Sequence, residues 1–273
     1  MSEYNDWIGK TQATNDVASR TPLEGLAAML DRDMSFWREG ELPPLAHWLY
    51  FLSPAKESEI GPDGHPRRGG FLPPITLPRR MWAGSRVEFL NPIPVGAEIT
   101  DRSEVANIVE KQGNSGAMIF VTVRREIVCN AVLAIREERD VVYRDESKAA
   151  SASAAPQPDT RKAEWSRAVT PDPVLLFRFS ALTFNAHRIH YDRDYAMKTE
   201  GYPGLVVQGP LTAMLLMDHY LAKHPHADIA RFEFRAERPL FGGAPFQLCG
   251  DGTDLWARTP SGERAMSAKI AGR

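Results

Sequence analysis

Along most of the chain apolar residues come in short runs broken by proline, glycine and asparagine, and one stretch alone is apolar on nearly every side. The runs Arg86 to Phe89, Ile99 to Val109, Ala117 to Cys129 and Ala131 to Ile135 are β-rich, with Val141 to Arg144 closing the series. Asn91-Pro92, Pro94-Val95-Gly96 and Gln112 to Gly116 supply the turns between them. The exception is Ala213 to Leu221, which follows Gly209-Pro210 and predicts a helix enclosed by other structure, because no polar stripe is left to face water. Proline suits the first helical turn, where its missing N–H would have had no partner.

A second helix is predicted from Thr21-Pro22-Leu23-Glu24, with Thr21 as cap and Leu26, Met29 and Leu30 as its apolar stripe. Ala46 to Leu52, ended by Pro54, reads as the first half's counterpart of the Pro210 helix, and His47 within it as a core histidine. From Lys56 to Pro78 the chain is polar and rich in glycine and proline, a loop of the length used for lids and binding. It carries Arg67 and Arg68 and leads into Arg79 and Arg80, which would suit phosphate or carboxylate; Arg124 and Arg125 are strand candidates for the same contact.

Arg86-Val87-Glu88-Phe89, followed by Pro94 and Gly96, is echoed by Arg231-Phe232-Glu233-Phe234, followed by Pro239 and Gly242. Each copy lies after an apolar stretch and before more strands, so the repeat is one of position as well as wording. Two units are therefore expected, 1–147 and 160–273, joined by the small, polar linker 148–159. Helix plus antiparallel strands in each unit predicts an α+β fold, a sheet wrapped around a helix.

Composition narrows the class. The chain has 273 residues, 43% hydrophobic and 25% charged, as expected of a folded globular protein. A formal charge of −2 gives no field to gather nucleic acid or anionic membrane. Cys129 and Cys249 show neither pairing nor zinc spacing, read as buried strand residues, and fit a reducing compartment. The opening MSEYNDWIGK has the order of neither a secretory signal nor a transit peptide, and no apolar run is long enough to span a bilayer, so a cytoplasmic location is expected.

The chemistry is concentrated in Phe184 to Leu216. Asn185, His187, Arg188, His190, Asp192 and Asp194 precede a Gly/Pro turn and the enclosed helix, whose first N–H groups around Gly209 carry partial positive charge suited to an oxyanion. His187, His190, Asp192 and Asp194 do not set a defined metal geometry, so no metal is expected, and the two aspartates read as helix caps. Ser180 and Thr183 are placed to bond Asn185 or to cap a turn. No dinucleotide fingerprint or phosphate-cradling loop is present.

Asn185-Ala186-His187-Arg188-Ile189-His190, with Gly209-Pro210-Leu211-Thr212, resembles the active-site segment of the MaoC-like hydratases and dehydratases of acyl thioesters. The wording FNAHRIHYD and VQGPL resembles the two-hotdog branch of mitochondrial-type hydroxyacyl-thioester dehydratases and mesaconyl-C4-CoA hydratases. The resemblance implies a double hotdog, two antiparallel sheets each wrapped around a central helix, with the second unit catalytic and the first shaping the substrate. It also implies a hydro-lyase needing no cofactor, acting on a thioester of coenzyme A or acyl carrier protein, as a monomeric pseudo-dimer or homodimer.

In that family an acid stands five residues before the histidine; here the position holds Asn185, and Gln208 stands where a histidine often precedes the glycine. His190 is then the general acid and base, because an amide can hold water but cannot take its proton. Gly209 offers the oxyanion donor, and His187, Arg188, Gln208, Arg79 and Arg80 are the expected substrate contacts. A hotdog thioesterase and a non-catalytic acyl-thioester binder are the alternatives; the first asks for a carboxylate that Asn185 does not supply.

Overall fold

The computed structural model describes residues 3–113, 116–145 and 158–273. In chain order the elements are β1 (Thr11–Val17), α1 (Arg20–Leu30), β2 (Arg79–Phe89), β3 (Glu98–Gly113), β4 (Gly116–Cys129) and β5 (Val132–Arg144), then β6 (Trp165–Val169), α2 (Pro173–Leu182), α3 (Arg193–Lys198), α4 (Gly209–Lys223), β7 (Ile229–Ala236), β8 (Phe246–Asp251), β9 (Asp254–Arg258) and β10 (Arg264–Gly272). The predicted linker falls largely outside the described residues, as do the central residues of the Gln112 to Gly116 turn.

All ten strands form one antiparallel sheet in the order β1-β3-β4-β5-β2-β7-β10-β9-β8-β6. Read outward from its centre, the first half's 2-5-4-3-1 is matched by the second half's 7-10-9-8-6. The two copies of the repeated tetrapeptide meet at that centre, where Arg86 faces Glu233 and Glu88 faces Arg231. The two half-sheets of the expected double hotdog are therefore continuous through the β2–β7 pair. Approach there is close: a Cβ on Gly84 would lie 2.4 Å from the Phe234 carbonyl oxygen.

The predicted break between Ala131–Ile135 and Val141–Arg144 does not exist, because β5 runs straight through. Its polar middle is held by cross-strand ion pairs, Arg86 with Glu138 and Asp140, and Arg136 with Glu88 and Glu126. Asn130 and Ala131 form the two-residue hairpin before it, both at positive φ as such tight turns require. Arg124 pairs with Glu104 and Glu138, and Arg125 is buried between Asp101 and Glu137. Arg125 is enclosed and therefore closed to a ligand anion, contrary to the expectation, whereas Arg124 is partly exposed on the sheet with its charge shared between Glu104 and Glu138.

α4 is the enclosed helix the pattern predicts, buried at every position from Leu211 to Leu221. Of its polar residues, the Asp218 carboxylate accepts from Arg32 at 2.8 and 3.1 Å and pairs with Arg167 at 3.1 Å, whereas His219 Nε2 is buried with no partner among the described residues. α1 starts one residue before the predicted cap, with Ser19 ahead of it and an Arg20–Glu24 pair across its first turn. Among the described residues the first half has no long counterpart of α4. Ala46–Leu49 is a single 3-10 turn, since Leu45 at φ 70° and Phe51 at φ 58° bracket it and leave no room for further helical turns. His47 is fully buried, its Nε2 3.3 Å from a Glu137 carboxylate oxygen. Cys129 and Cys249 are buried and unpaired, as expected. Among the described residues no helix is long and apolar enough to cross a membrane.

Candidate active site

The segment from Thr183 to His190 is shaped by its own backbone. α2 ends at Leu182; the Thr183 hydroxyl donates to the Phe179 carbonyl at 2.8 Å, and Phe184 turns the chain at φ 48°, a left-handed conformation uncommon for a bulky residue. The Asn185 N–H donates to the Ser180 carbonyl at 2.8 Å, and the His187 N–H donates to Asn185 Oδ1 at 3.1 Å. That bond closes an Asx turn and leaves the Asn185 amide nitrogen as the side chain's free donor. A 3-10 turn over Arg188–His190 follows, and Asp192 caps α3 by accepting from the Tyr195 N–H at 2.9 Å.

His190 is buried, and its Nδ1 donates to the Val206 carbonyl at 2.7 Å. Because a carbonyl can only accept, the neutral ring carries its proton on Nδ1 and keeps a lone pair on Nε2, which has no partner among the described residues. Burial pushes the imidazole's pKa down to about 4, against the opposing pull of the Val206 carbonyl. The imidazole is thus neutral near pH 7. Three residues beyond Val206, α4 opens at Gly209 with no side-chain cap. Pro210 has no N–H, and the N–H groups of Gly209 and Leu211 have no partner among the described residues. An added Cβ at Gly209 would meet nothing nearer than the Trp82 carbonyl oxygen at 3.7 Å, so the protein's own packing does not demand glycine there.

Several expected substrate contacts are committed elsewhere. Gln208 donates from Nε2 to the Leu176 carbonyl at 2.9 Å and to the Ser180 hydroxyl at 3.0 Å, tying the start of α4 to α2. Arg188 pairs with Asp192 at 2.7 Å, donates to the Pro62 carbonyl at 3.0 Å, and covers the Tyr195 ring. Arg79 donates to the Glu200 carbonyl at 2.7 Å. Arg68 anchors the loop through the carbonyls of Ile75, Leu77 and Pro78.

The Lys56 to Pro78 loop does reach the site, and by residues the sequence did not single out. Arg188 N–H donates to the Asp63 carbonyl at 2.9 Å, and Gly64, at φ +87°, lies so close to Ala186 that a Cβ would overlap its carbonyl oxygen. This clasp brings His65 against His187, ring centres 4.1 Å apart, and His187 stands edge-on to His190 at 5.4 Å. His65 Nδ1 sits 2.9 Å from Asp63 Oδ2. Burial, then the neighbouring His65 and His190, push the His187 pKa down to about 2, so it stays neutral. On the solvent side of His65 opens a cavity of about 490 Å³ lined by Asp63, His65, Arg67, Arg68, Arg79 and Arg80 among others; His190 is not part of its wall. Only the loop's unusual length and its Asp63-Gly64-His65 wording could have flagged these residues.

Comparison with known proteins bears on this arrangement. The family model for "Hydroxyacyl-thioester dehydratase type 2" matches residues 45–242, a span holding both the loop and the Asn185 to His190 segment. The chain belongs to the hydroxyacyl-thioester dehydratase type 2 family. As a member it is a hydro-lyase, and the MaoC-like resemblance of its Asn185 to His190 segment is borne out. It is 45% identical over 275 residues to a mesaconyl-C(4)-CoA hydratase from Chloroflexus aurantiacus, covering 98% of each chain. Among solved structures it is similar to a MaoC-like dehydratase, with a TM-score of 0.70 at 16% identity over 97% of this chain and 98% of that one. It is also similar to a Mycobacterium tuberculosis protein with a double hotdog fold, with a TM-score of 0.57 at 15% identity over 96% and 95% of the two chains. The double hotdog expected of this dehydratase family is thus the fold it has.

Proposed function

We propose that the protein reversibly hydrates an enoyl-CoA thioester to the 3-hydroxyacyl thioester, with a mesaconyl-C4 acyl group as the favoured substrate. The observation that carries the reading is the His190 Nδ1–Val206 bond, which leaves a neutral imidazole's lone pair on the nitrogen away from Val206, beside the uncapped start of α4. In the hydration direction Nε2 takes a proton from water as the oxygen adds to the β-carbon. The displaced electron pair moves through the α-carbon to the thioester oxygen, where the Gly209 and Leu211 N–H groups hold the developing charge. Asn185 orients the water through its free amide nitrogen.

The acyl group is suggested by the relative from Chloroflexus aurantiacus, which a mesaconyl-C4-CoA hydratase name describes. A free carboxylate on that acyl group, or the phosphates of coenzyme A, would suit the arginine-lined cavity, where the side chains of Arg67 and Arg80 are the ones least tied to the protein. The first half shapes the substrate and supplies this cationic wall, while the second half carries the base. The β2–β7 pairing within one chain supports a monomeric pseudo-dimer.

The test is incubation of the protein with crotonyl-CoA, mesaconyl-CoA and a saturated acyl-CoA. Loss of the conjugated chromophore without release of free thiol is expected from the first two. Release of thiol would mark a thioesterase, and neither change a binding protein. His190→Ala should lower kcat by about 10²–10⁴-fold, the usual cost of losing a general base; full activity in that variant overturns the assignment.

A further inference from the structure

Adding water across a double bond moves two protons, one off the water and one onto the α-carbon. Families with an acid in the position of Asn185 have two groups for this, whereas an amide can serve neither transfer. The structure brings a second titratable pair to the same segment from the other half of the chain. We propose that Asp63 and His65 are that second pair, His65 exchanging the proton at the α-carbon while His190 handles the proton on water. The inference rests on the hydratase reading above.

Three observations support it. His65 has the arrangement of a catalytic imidazole: its Nδ1 lies on a carboxylate oxygen at 2.9 Å, so the opposite nitrogen is the working one, and Asp63 supports positive charge on the ring against burial and the Arg80 and Arg68 charges, which together lower its pKa. Its placement is built rather than incidental. The Asp63 carbonyl accepts from the Arg188 N–H, the Asp63 Oδ1 accepts from the His65 N–H at 3.0 Å, and Gly64 makes the approach to Ala186 that any side chain would block. Finally, His65 borders the cavity and meets His187, which in turn meets His190, so the two imidazoles flank one ring.

In hydration, the oxygen–β-carbon bond forms as His190 Nε2 takes the water proton, and the C=C π pair becomes the enolate. His65, carrying a proton beside the Asp63 carboxylate, then gives it to the α-carbon, which re-forms the thioester carbonyl. His190 is left with one proton more and His65 with one fewer; loss of a proton from His190 to solvent and uptake of one by His65 from the cavity it lines restore both. Dehydration runs the same steps backward. The ligating atoms of Asp63, His65 and His187 also lie within 4.8 Å of one another, which a divalent cation could use. Against that, Arg80 bears electrostatically on both histidines and Arg68 on His65. Positive neighbours oppose a cation and favour an anionic substrate.

The experiment uses the full-length protein with crotonyl-CoA and mesaconyl-CoA. His65→Gln should lower kcat by about 10²–10⁴-fold with KM changed less than about threefold, and Asp63→Asn should lower kcat in the same direction. Added imidazole should restore activity to His65→Gly, and deuterium exchange at the α-carbon of the hydrated product should be lost in His65→Gln. Retained kcat in a folded His65→Gln, an effect on KM alone, or a kcat loss that imidazole does not restore would overturn the inference. So would stoichiometric divalent metal in the wild type that His65→Gln releases and whose chelation abolishes activity. Should His65→Gln fail to fold, Asp63→Asn and the exchange measurement decide. Wild type inert toward both enoyl thioesters would sink the hydratase reading itself, whereas active wild type with active His65 variants would sink this inference alone.

Discussion

As the proposed general base, His190 has to be neutral to work, and burial favours that form. The pH profile follows with a definite sign. A base of pKa about 4 loses its lone pair only as the pH falls through that value, so the acid limb of kcat/KM should fall near pH 4 rather than near 6.5. A limb at 6.5 would mean the ring is solvated in the working enzyme. Gly209 gives a second prediction at this scale. Since nothing crowds a Cβ there, Gly209→Ala should fold with stability unchanged or raised by up to about 1 kcal/mol, while activity falls because the methyl group intrudes where the acyl group approaches the open N–H groups. Thermal melting alongside kcat/KM checks both halves. The five-residue spacing from Asn185 to His190 and the glycine at the helix start were readable from local sequence. His65 was not, because its role depends on a contact between residues far apart in the chain, and local wording carries no record of such contacts.

Among elements, the Lys56 to Pro78 loop and α4 illustrate the two ways a pattern can be read. α4 was legible since a helix with no polar face must be enclosed, and its buried residues from Leu211 to Leu221 obey that rule. The loop was legible as a loop, but its docking rests on backbone groups: Arg188 N–H to the Asp63 carbonyl, and Gly64 against Ala186. β5 was misdivided for a related reason, since Arg136 to Asp140 are polar yet lie in a strand whose charges are paired across the sheet. Gly64→Ala tests the docking directly. At φ +87° the left-handed conformation alone costs about 1–2 kcal/mol for an alanine, and the overlap with Ala186 forces the loop off the Asn185 to His190 segment. The expected result is a folded protein with sharply reduced kcat and increased proteolysis within residues 56–78. Unchanged kinetics would show that the loop's seat does not matter to the reaction.

For the whole molecule, stability leans on a buried charge cluster in the first half, where Glu137 is enclosed by His47, Trp48, Ser85, Arg125 and Arg139. Its carboxyl is held well below the ordinary range: burial works against ionisation, and Arg139, His47 and Arg125 outweigh it. Replacing it with alanine leaves buried positive charge uncompensated and should cost about 3–5 kcal/mol, read from denaturant unfolding. Acid should unfold the protein in a predictable window. His190 and His219, with pKa values of about 4, are lowered by burial, so their contribution is complete above the unfolded value near 6.5 and declines as pH falls toward 4. Glu137, also depressed, adds its loss at lower pH still. Melting temperature should therefore drop steadily below pH 6.5, and a flat profile down to pH 4 would contradict it.

The repeat at Arg86 and Arg231 was visible in the chain, and the structure gives it meaning, since the two copies face each other at the middle of the sheet. Two identical half-length chains meeting this way would be bound by symmetry, each forced to keep every group the other has. A covalent tether releases that obligation: one half can shed its long inner helix and grow a reaching arm, while the other keeps the imidazole that the arm touches.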